Sequence, residues 1–293
     1  MERFGYVRAT SVTEAVSLLN QPGFLNRPLA GSTDLIILLR HKPDLCNRVV
    51  DISLIPEMHQ ITRQGNNVII GAAATFSEVL SNPLVKETAP ILVAACKTVG
   101  AVQIRNMGTL GGNVANAAAC ADSLPALVCL DASARVLTPA EEFNWTVSDL
   151  VLSPNKTRIP AGGLLVSLHY TVPPEGTRGA FLKLGRRNAM AISRLTVAAL
   201  GRVDVDGRIV EARFVTGSAA PQICRFKDVE ASLIGQKPSA ELLTAAGKLA
   251  IGEMIKLSGY RWSSEFKVPA LATMTTRVLA NVFQVPMLNG VVQ

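Results

Sequence analysis

The chain has 293 residues, with 29 Lys and Arg against 22 Asp and Glu and a net charge of +7. At 48% hydrophobic and 17% charged it reads as an ordered globular protein, long enough for two or three subdomains. No apolar run approaches the roughly 18–20 residues that span a bilayer, and residues 1–6 begin a strand-like stretch without a signal-peptide apolar region. The expected setting is cytoplasmic, with no membrane. The basic residues are dispersed and aromatics make up 5%, so the charge reads as a solvated or partner-docking face, with no nucleic acid. Cys46, Cys96, Cys120, Cys129 and Cys224 are odd in number and never spaced C-x-x-C. They read as buried free thiols in a reducing compartment and argue against a cluster or structural zinc held by this chain. His41, His59 and His169 lie far apart and read as structural.

In chain order, residues 4–8 form a short strand and Ser11-Val12-Thr13-Glu14 a capping box that opens a helix. Residues 27–30 form a second strand that runs into Gly31-Ser32-Thr33, and residues 34–40 a helix with a polar cap. Residues 49–52 close the unit as a third strand. This alternation predicts a small parallel sheet. Gly65-Asn66-Asn67 is a hairpin turn, Thr75-Phe76-Ser77-Glu78 a second capping box and residues 90–100 a helix. Asp122 and Ser123 are placed to cap a helix through Leu130, and Gly162 to Leu168 reads as a buried strand ending at a boundary, Pro173-Pro174. Beyond it, residues 195–205 and 208–216 alternate around Asp206-Gly207, with residues 181–187 as a third pairing strand. Ser239 caps a helix to about Leu257, and residues 269–283 form another.

Two glycine stretches stand out: Leu29-Ala30-Gly31-Ser32-Thr33-Asp34 and Thr109-Leu110-Gly111-Gly112-Asn113. Neither is a Walker A or a G-x-G-x-x-G motif. Each alone is as readily a turn. Both are read as following apolar strands, and two facing backbone nests of this kind would bind a diphosphate from both sides. No Ser-His-Asp arrangement or carboxylate pair competes with this reading.

Together with Gln103-Ile104-Arg105-Asn106, Ala121-Asp122-Ser123, Lys183-Leu184-Gly185-Arg186-Arg187, residues 188–193 and Ser264-Glu265-Phe266-Lys267, these stretches resemble the FAD-binding subunit of the molybdenum hydroxylases. This is the xanthine dehydrogenase and carbon monoxide dehydrogenase family, and bacterial three-subunit xanthine dehydrogenases are the most similar branch. The resemblance covers essentially the whole chain. It implies an α+β protein: a two-subdomain FAD-binding fold like that of vanillyl-alcohol oxidase over residues 1–57 and 58–175, then a C-terminal α+β domain over 178–293. That last domain would carry a three-stranded antiparallel sheet and helices.

By the same resemblance, Pro28, Leu29, Ala30, Gly31, Ser32, Thr33 and Asp34, with Thr109, Leu110, Gly111, Gly112 and Asn113, would hold the FAD pyrophosphate. Asp122 would accept from FAD hydroxyl groups, cap a helix, or both. Leu165 would give a backbone contact beside the flavin. Lys183 would approach the isoalloxazine or remain at the surface. Arg186 and Arg187 would lie near the flavin edge, at the acceptor entrance, or in solvent. Ser32 stands where a glycine is common in the family; serine serves provided its backbone needs no positive φ. The four-cysteine insertion of benzoyl-CoA-type reductase relatives is absent from the sequence. No motif demands a covalent link, so FAD is expected to be non-covalent. The resemblance further implies a heterotrimer with a molybdopterin-binding large subunit and a [2Fe–2S] small subunit, and NAD⁺ as acceptor. The alternatives are a self-contained flavin oxidoreductase, a nucleotide-binding assembly subunit without catalysis, and a nucleic-acid binder.

Overall fold

The structure is a computed structural model; it describes residues 4–187 and 190–286. Met1–Arg3 at the start of the first stretch, and Asn188 and Ala189 of the later motif, lie outside the described residues. The first unit is β1 (Gly5–Arg8), α1 (Val12–Leu19), β2 (Asn26–Leu29), α2 (Leu35–His41) and β3 (Arg48–Asp51). Its three strands lie in the order β1-β3-β2, both pairings parallel, as the strand–helix alternation predicts. The first capping box is half formed. Ser11 accepts from Glu14 N, but the Glu14 carboxylate reaches Thr10 rather than the Ser11 backbone.

The second unit runs through β4 (Ile61–Gln64), β5 (Asn67–Gly71), α3 (Phe76–Ser81), α4 (Pro83–Thr88), α5 (Pro90–Lys97), α6 (Val102–Met107), α7 (Leu110–Asn116) and α8 (Ser123–Cys129). It continues through β6 (Ser133–Leu137), β7 (Glu142–Thr146), α9 (Val147–Leu150), β8 (Val151–Ser153), β9 (Lys156–Thr157) and β10 (Leu164–Thr171). Five strands form an antiparallel sheet, β4-β5-β10-β6-β7. β10 is at its centre and buried from Leu164 to Leu168. The Thr75–Glu78 capping box forms completely.

The third unit is an antiparallel sheet of β11 (Arg178–Leu184), β12 (Leu195–Val203) and β13 (Ile209–Gly217), followed by α10 (Lys227–Leu233), α11 (Ala240–Ser258) and α12 (Ser264–Phe283). β11 stops at Leu184, so residues 185–187 leave the ladder. β12 is buried without a break from Leu195 to Gly201 because both its faces are covered. Leu195, Val197 and Ala199 pack in the core beneath the C-terminal helices, while Ala198 and Leu200 join the core of the first two units. An uninterrupted apolar strand is what two-sided burial requires. This shared core welds the third sheet to the first two units.

No helix among the described residues is long and apolar enough to cross a membrane.

Candidate functional site

The first glycine stretch follows β2, as expected, and turns into α2. Gly31 is pressed against the other half of the molecule: a Cβ there would lie 1.9 Å from the Met107 carbonyl oxygen. Only glycine permits that approach. Ser32 has φ +58°, so the backbone does need the left-handed region that the sequence proviso excluded. Among the described residues, the N–H groups of Gly31, Ser32, Thr33 and Asp34 have no acceptor, and the Ser32 and Thr33 hydroxyls have no partner. Asp34 occupies the N-cap position of α2 but its side chain makes no capping bond. The result is a row of unpaired donors at a helix start, the backbone arrangement that binds anions.

The second stretch is not a loop after a strand. It follows the short helix α6 and is itself the first turn of α7, with Thr109 as N-cap accepting from Gly112 N at 3.0 Å. Leu110 N donates to Ala74 O at 2.9 Å, Gly111 N to Ala72 O at 3.0 Å and Asn113 N to Thr109 O at 3.0 Å. These bonds stitch the stretch to the segment between β5 and α3, where Thr75 and Thr109 form a bridge. A Cβ on Gly111 would stand 2.4 Å from Ala72 Cβ and 2.5 Å from its carbonyl oxygen. Gly112 is exposed, and within 4 Å its Cβ would meet only Thr109. The open face is therefore Gly112 together with Asn113, whose amide oxygen accepts from Ser123 Oγ at 2.6 Å.

Asp122 and Lys183 lie on different units and meet. Lys183 Nζ donates to Asp122 Oδ2 at 2.6 Å and to Thr98 O at 2.9 Å. Ser193 Oγ donates to the other Asp122 oxygen. Asp122 sits at the N-cap position of α8 without capping it: its carboxylate is turned to Lys183 and Ser193 instead. The pair is largely buried, with side-chain exposures of 5% for Asp122 and 12% for Lys183. An ammonium has three donors, so one N–H of Lys183 remains for a ligand.

Cys120 connects the two clusters electrostatically. Burial raises its thiol pKa, its own backbone N–H lowers it, Asp122 raises it, Lys183 lowers it and Asp34 raises it. Leu165 lies in β10 at a β-bulge, its side chain in the core and the next carbonyl, Val166 O, accepting from Ala72 N at 2.8 Å. Arg186 and Arg187 are exposed, and Arg187 donates to Met190 O at 2.6 and 3.2 Å. A cavity of about 870 Å³ along α1 and the end of β6 is lined without a single ionisable side chain and by none of these groups.

Sequence reasoning missed Thr98, which no local signal marks, and gave Ser193, which stands in the 188–193 motif, no role as a partner of the pair. His59 and His169 are bonded inside the chain, to Ser53 O at 2.8 Å and Ser167 Oγ at 2.7 Å. The cysteines are all free thiols; Cys46, Cys96 and Cys129 are buried, whereas Cys120 and Cys224 are only half-buried.

Residues 2–173 match the FAD binding domain in molybdopterin dehydrogenase. The chain belongs to that family. The rest of this flavin subunit, residues 180–282, matches the CO dehydrogenase flavoprotein C-terminal domain. It is 31% identical to the putative xanthine dehydrogenase FAD-binding subunit of Escherichia coli K12, over 94% of each chain. It is 27% identical to the glyceraldehyde dehydrogenase medium chain of Sulfolobus acidocaldarius, over 95% of this chain and 98% of that one. Among solved structures it resembles carbon monoxide dehydrogenase from Hydrogenophaga pseudoflava lacking the Mo-pyranopterin moiety. There the TM-score is 0.89 and the identity 26%, covering 96% of this chain and 98% of the other. The flavin subunit is thus an oxidoreductase component of the molybdenum hydroxylase type, with the α+β fold that the sequence motifs imply.

Proposed function

We propose that the subunit binds FAD non-covalently, with its diphosphate against Gly31–Asp34, and serves as the acceptor-side half of a xanthine dehydrogenase-like enzyme. The observation that carries the reading is the row of unpaired N–H groups at Gly31, Ser32, Thr33 and Asp34, held open by the left-handed Ser32. Pro28, Leu29 and Ala30 lead the chain into that row. Thr109, Leu110, Gly111, Gly112 and Asn113 form the opposing wall, where Gly112 lets a phosphate come close. Bound FAD would convert one-electron transfers from iron–sulfur clusters into two-electron delivery to NAD⁺.

The chain's own residues would do four things. Backbone N–H groups and the Ser32 and Thr33 hydroxyls neutralise diphosphate charge. Asp122 holds Lys183 in place while accepting from hydroxyl groups. The third N–H of Lys183 donates to a ring carbonyl and favours negative charge there. The backbone beside Leu165 walls the ring. The division into units 1–57, 58–175 and 178–293 belongs to this reading, as do a heterotrimer with molybdopterin and [2Fe–2S] subunits and a cytoplasmic setting. Arg186 and Arg187 are left at the rim toward the acceptor.

The purified chain should be yellow, release intact FAD on acid treatment, and oxidise NADH with an artificial dye while failing to oxidise purines or aldehydes by itself. Co-expression should recover it with a molybdopterin subunit and an iron–sulfur subunit. A colourless protein that takes up no FAD overturns the reading.

A further inference from the structure

Residues 117–121, Ala-Ala-Ala-Cys-Ala, carry the chain from α7 to Asp122. Four of these five side chains are single methyl groups; Ala117 and Ala121 are buried in the core of the first two units and Ala118 packs against it. Beneath it lies a void of about 20 Å³, bounded on the far side by Leu124, Thr216, Ser218 and Ile223, room for one water molecule. The Thr216 hydroxyl on that wall is buried without a partner. The middle of the segment, Ala119 and Cys120, lies outside that core, and Ala119 is held there by hydrogen bonds. Asn155 N donates to Ala117 O at 2.8 Å and Ser218 N to Ala119 O at 3.1 Å. Ser218 Oγ reaches Ala119 O at 3.0 Å and Ser193 O at 3.3 Å, and Ser193 holds Asp122.

Ser218 is the knot of this net, and it is left-handed, φ +61°, a conformation that is costly for serine. One bond from outside fixes it: Lys267 Nζ, in the first turn of α12, donates to Ser218 O at 2.5 Å. Lys267 is half-buried, and burial together with Arg261 and Arg194 lowers its pKa. Among the described residues no carboxylate pairs with it. A cation kept in such surroundings with a carbonyl as its partner is placed for that carbonyl.

We propose that Lys267 is a positioning residue of the flavin site, setting through Ser218 and Ser193 the place of the 117–121 segment and the Asp122 carboxylate. This rests on the FAD reading for its consequence, though not for its geometry. It gives the Ser264-Glu265-Phe266-Lys267 motif a task at Asp122, from a helix of the third unit.

The test uses the full-length chain with Lys267→Met and Lys267→Arg. Cys120 lies in the segment and reports its position through its rate of maleimide labelling. The fully buried Cys96 and Cys129 report global opening. In Lys267→Met without FAD, Cys120 labelling should rise about tenfold, the low end for a lost charged hydrogen bond, with Cys96 and Cys129 still unlabelled. FAD affinity, read by flavin fluorescence, should fall by a similar factor, and Lys267→Arg should restore both. An unchanged Cys120 rate, or a rise in all three thiols together, overturns the proposal. If neither parent nor variant binds FAD, the flavin reading fails while the Cys120 rates still decide the role of Lys267.

Discussion

The two glycine stretches have similar compositions and use their backbones in opposite ways. In the first, the N–H groups of Gly31 through Asp34 have no partner among the described residues, and the turn stands at the edge of a three-stranded sheet. In the second, Leu110, Gly111, Gly112 and Asn113 all donate within the chain. Its glycines serve close packing: Gly111 against Ala72, Gly112 as a bare surface. One stretch is a donor array and the other a wall. Glycine is compatible with both because the missing Cβ permits unusual φ and also permits backbone-to-backbone contact.

Gly111→Ala separates the two roles most sharply. The new methyl would meet Ala72 Cβ and O in the core, so unfolding in urea should show a loss of about 1–3 kcal/mol or more. An unchanged midpoint would mean that the second stretch is not a packed wall. Gly31→Ala should act the other way round. The clash is with Met107 O, but α6 has no buried residue and can shift. FAD affinity should therefore fall more steeply than stability, seen by comparing flavin titration with urea unfolding.

Ser32→Gly should raise the stability of the FAD-free chain. Left-handed serine costs about 1–2 kcal/mol, part of which is offset by the larger unfolded-state entropy of glycine, so the net gain should be about 1 kcal/mol. FAD affinity should drop severalfold, because the hydroxyl is lost. A chain that gains stability and binds FAD equally well would show that serine there is not a ligand.

The smallest effect concerns the wall alone and depends on pH. Glu78 caps α3 beside the Thr75–Thr109 bridge. Burial raises its carboxyl pKa, but the Thr75 backbone, the Thr75 hydroxyl and His59 outweigh that and hold it below the usual value. A depressed folded-state pKa contributes stability above the unfolded value, lost as pH falls through the folded one. The difference between the parent chain and Glu78→Gln in urea unfolding should therefore be present near neutrality and vanish in acid.

The small parallel sheet, the Thr75 capping box, the β12–β13 hairpin and the Ser239 cap were legible because each is written in neighbouring residues: hydroxyl and carboxylate three apart, or Asp-Gly between apolar runs. The α6–α7 turn was not. The segment around residues 101–109 has no strong period, and its helix forms because Thr109 and Leu110 dock on residues 72–75. The caps expected at Asp34 and Asp122 fit helix-start rules in position, but neither side chain turns back. Asp122 is instead drawn to Lys183, a charge delivered by a different sheet.

The sequence by itself determined the strands of the first and third units and most of their helices, though not α10, and which residues carry the family resemblance and which two stretches matter. Those properties depend on local spacing and side-chain chemistry. Only the tertiary structure decided how the two stretches differ. Whether a backbone N–H is free or bonded depends on what lies across from it: for Gly111 that is the Ala72 carbonyl, while Gly31 N meets no acceptor among the described residues. The same holds for Asp122, Ser193, Ser218 and Lys267: distant in sequence, they become one hydrogen-bonded chain only when the last helix packs on the third sheet.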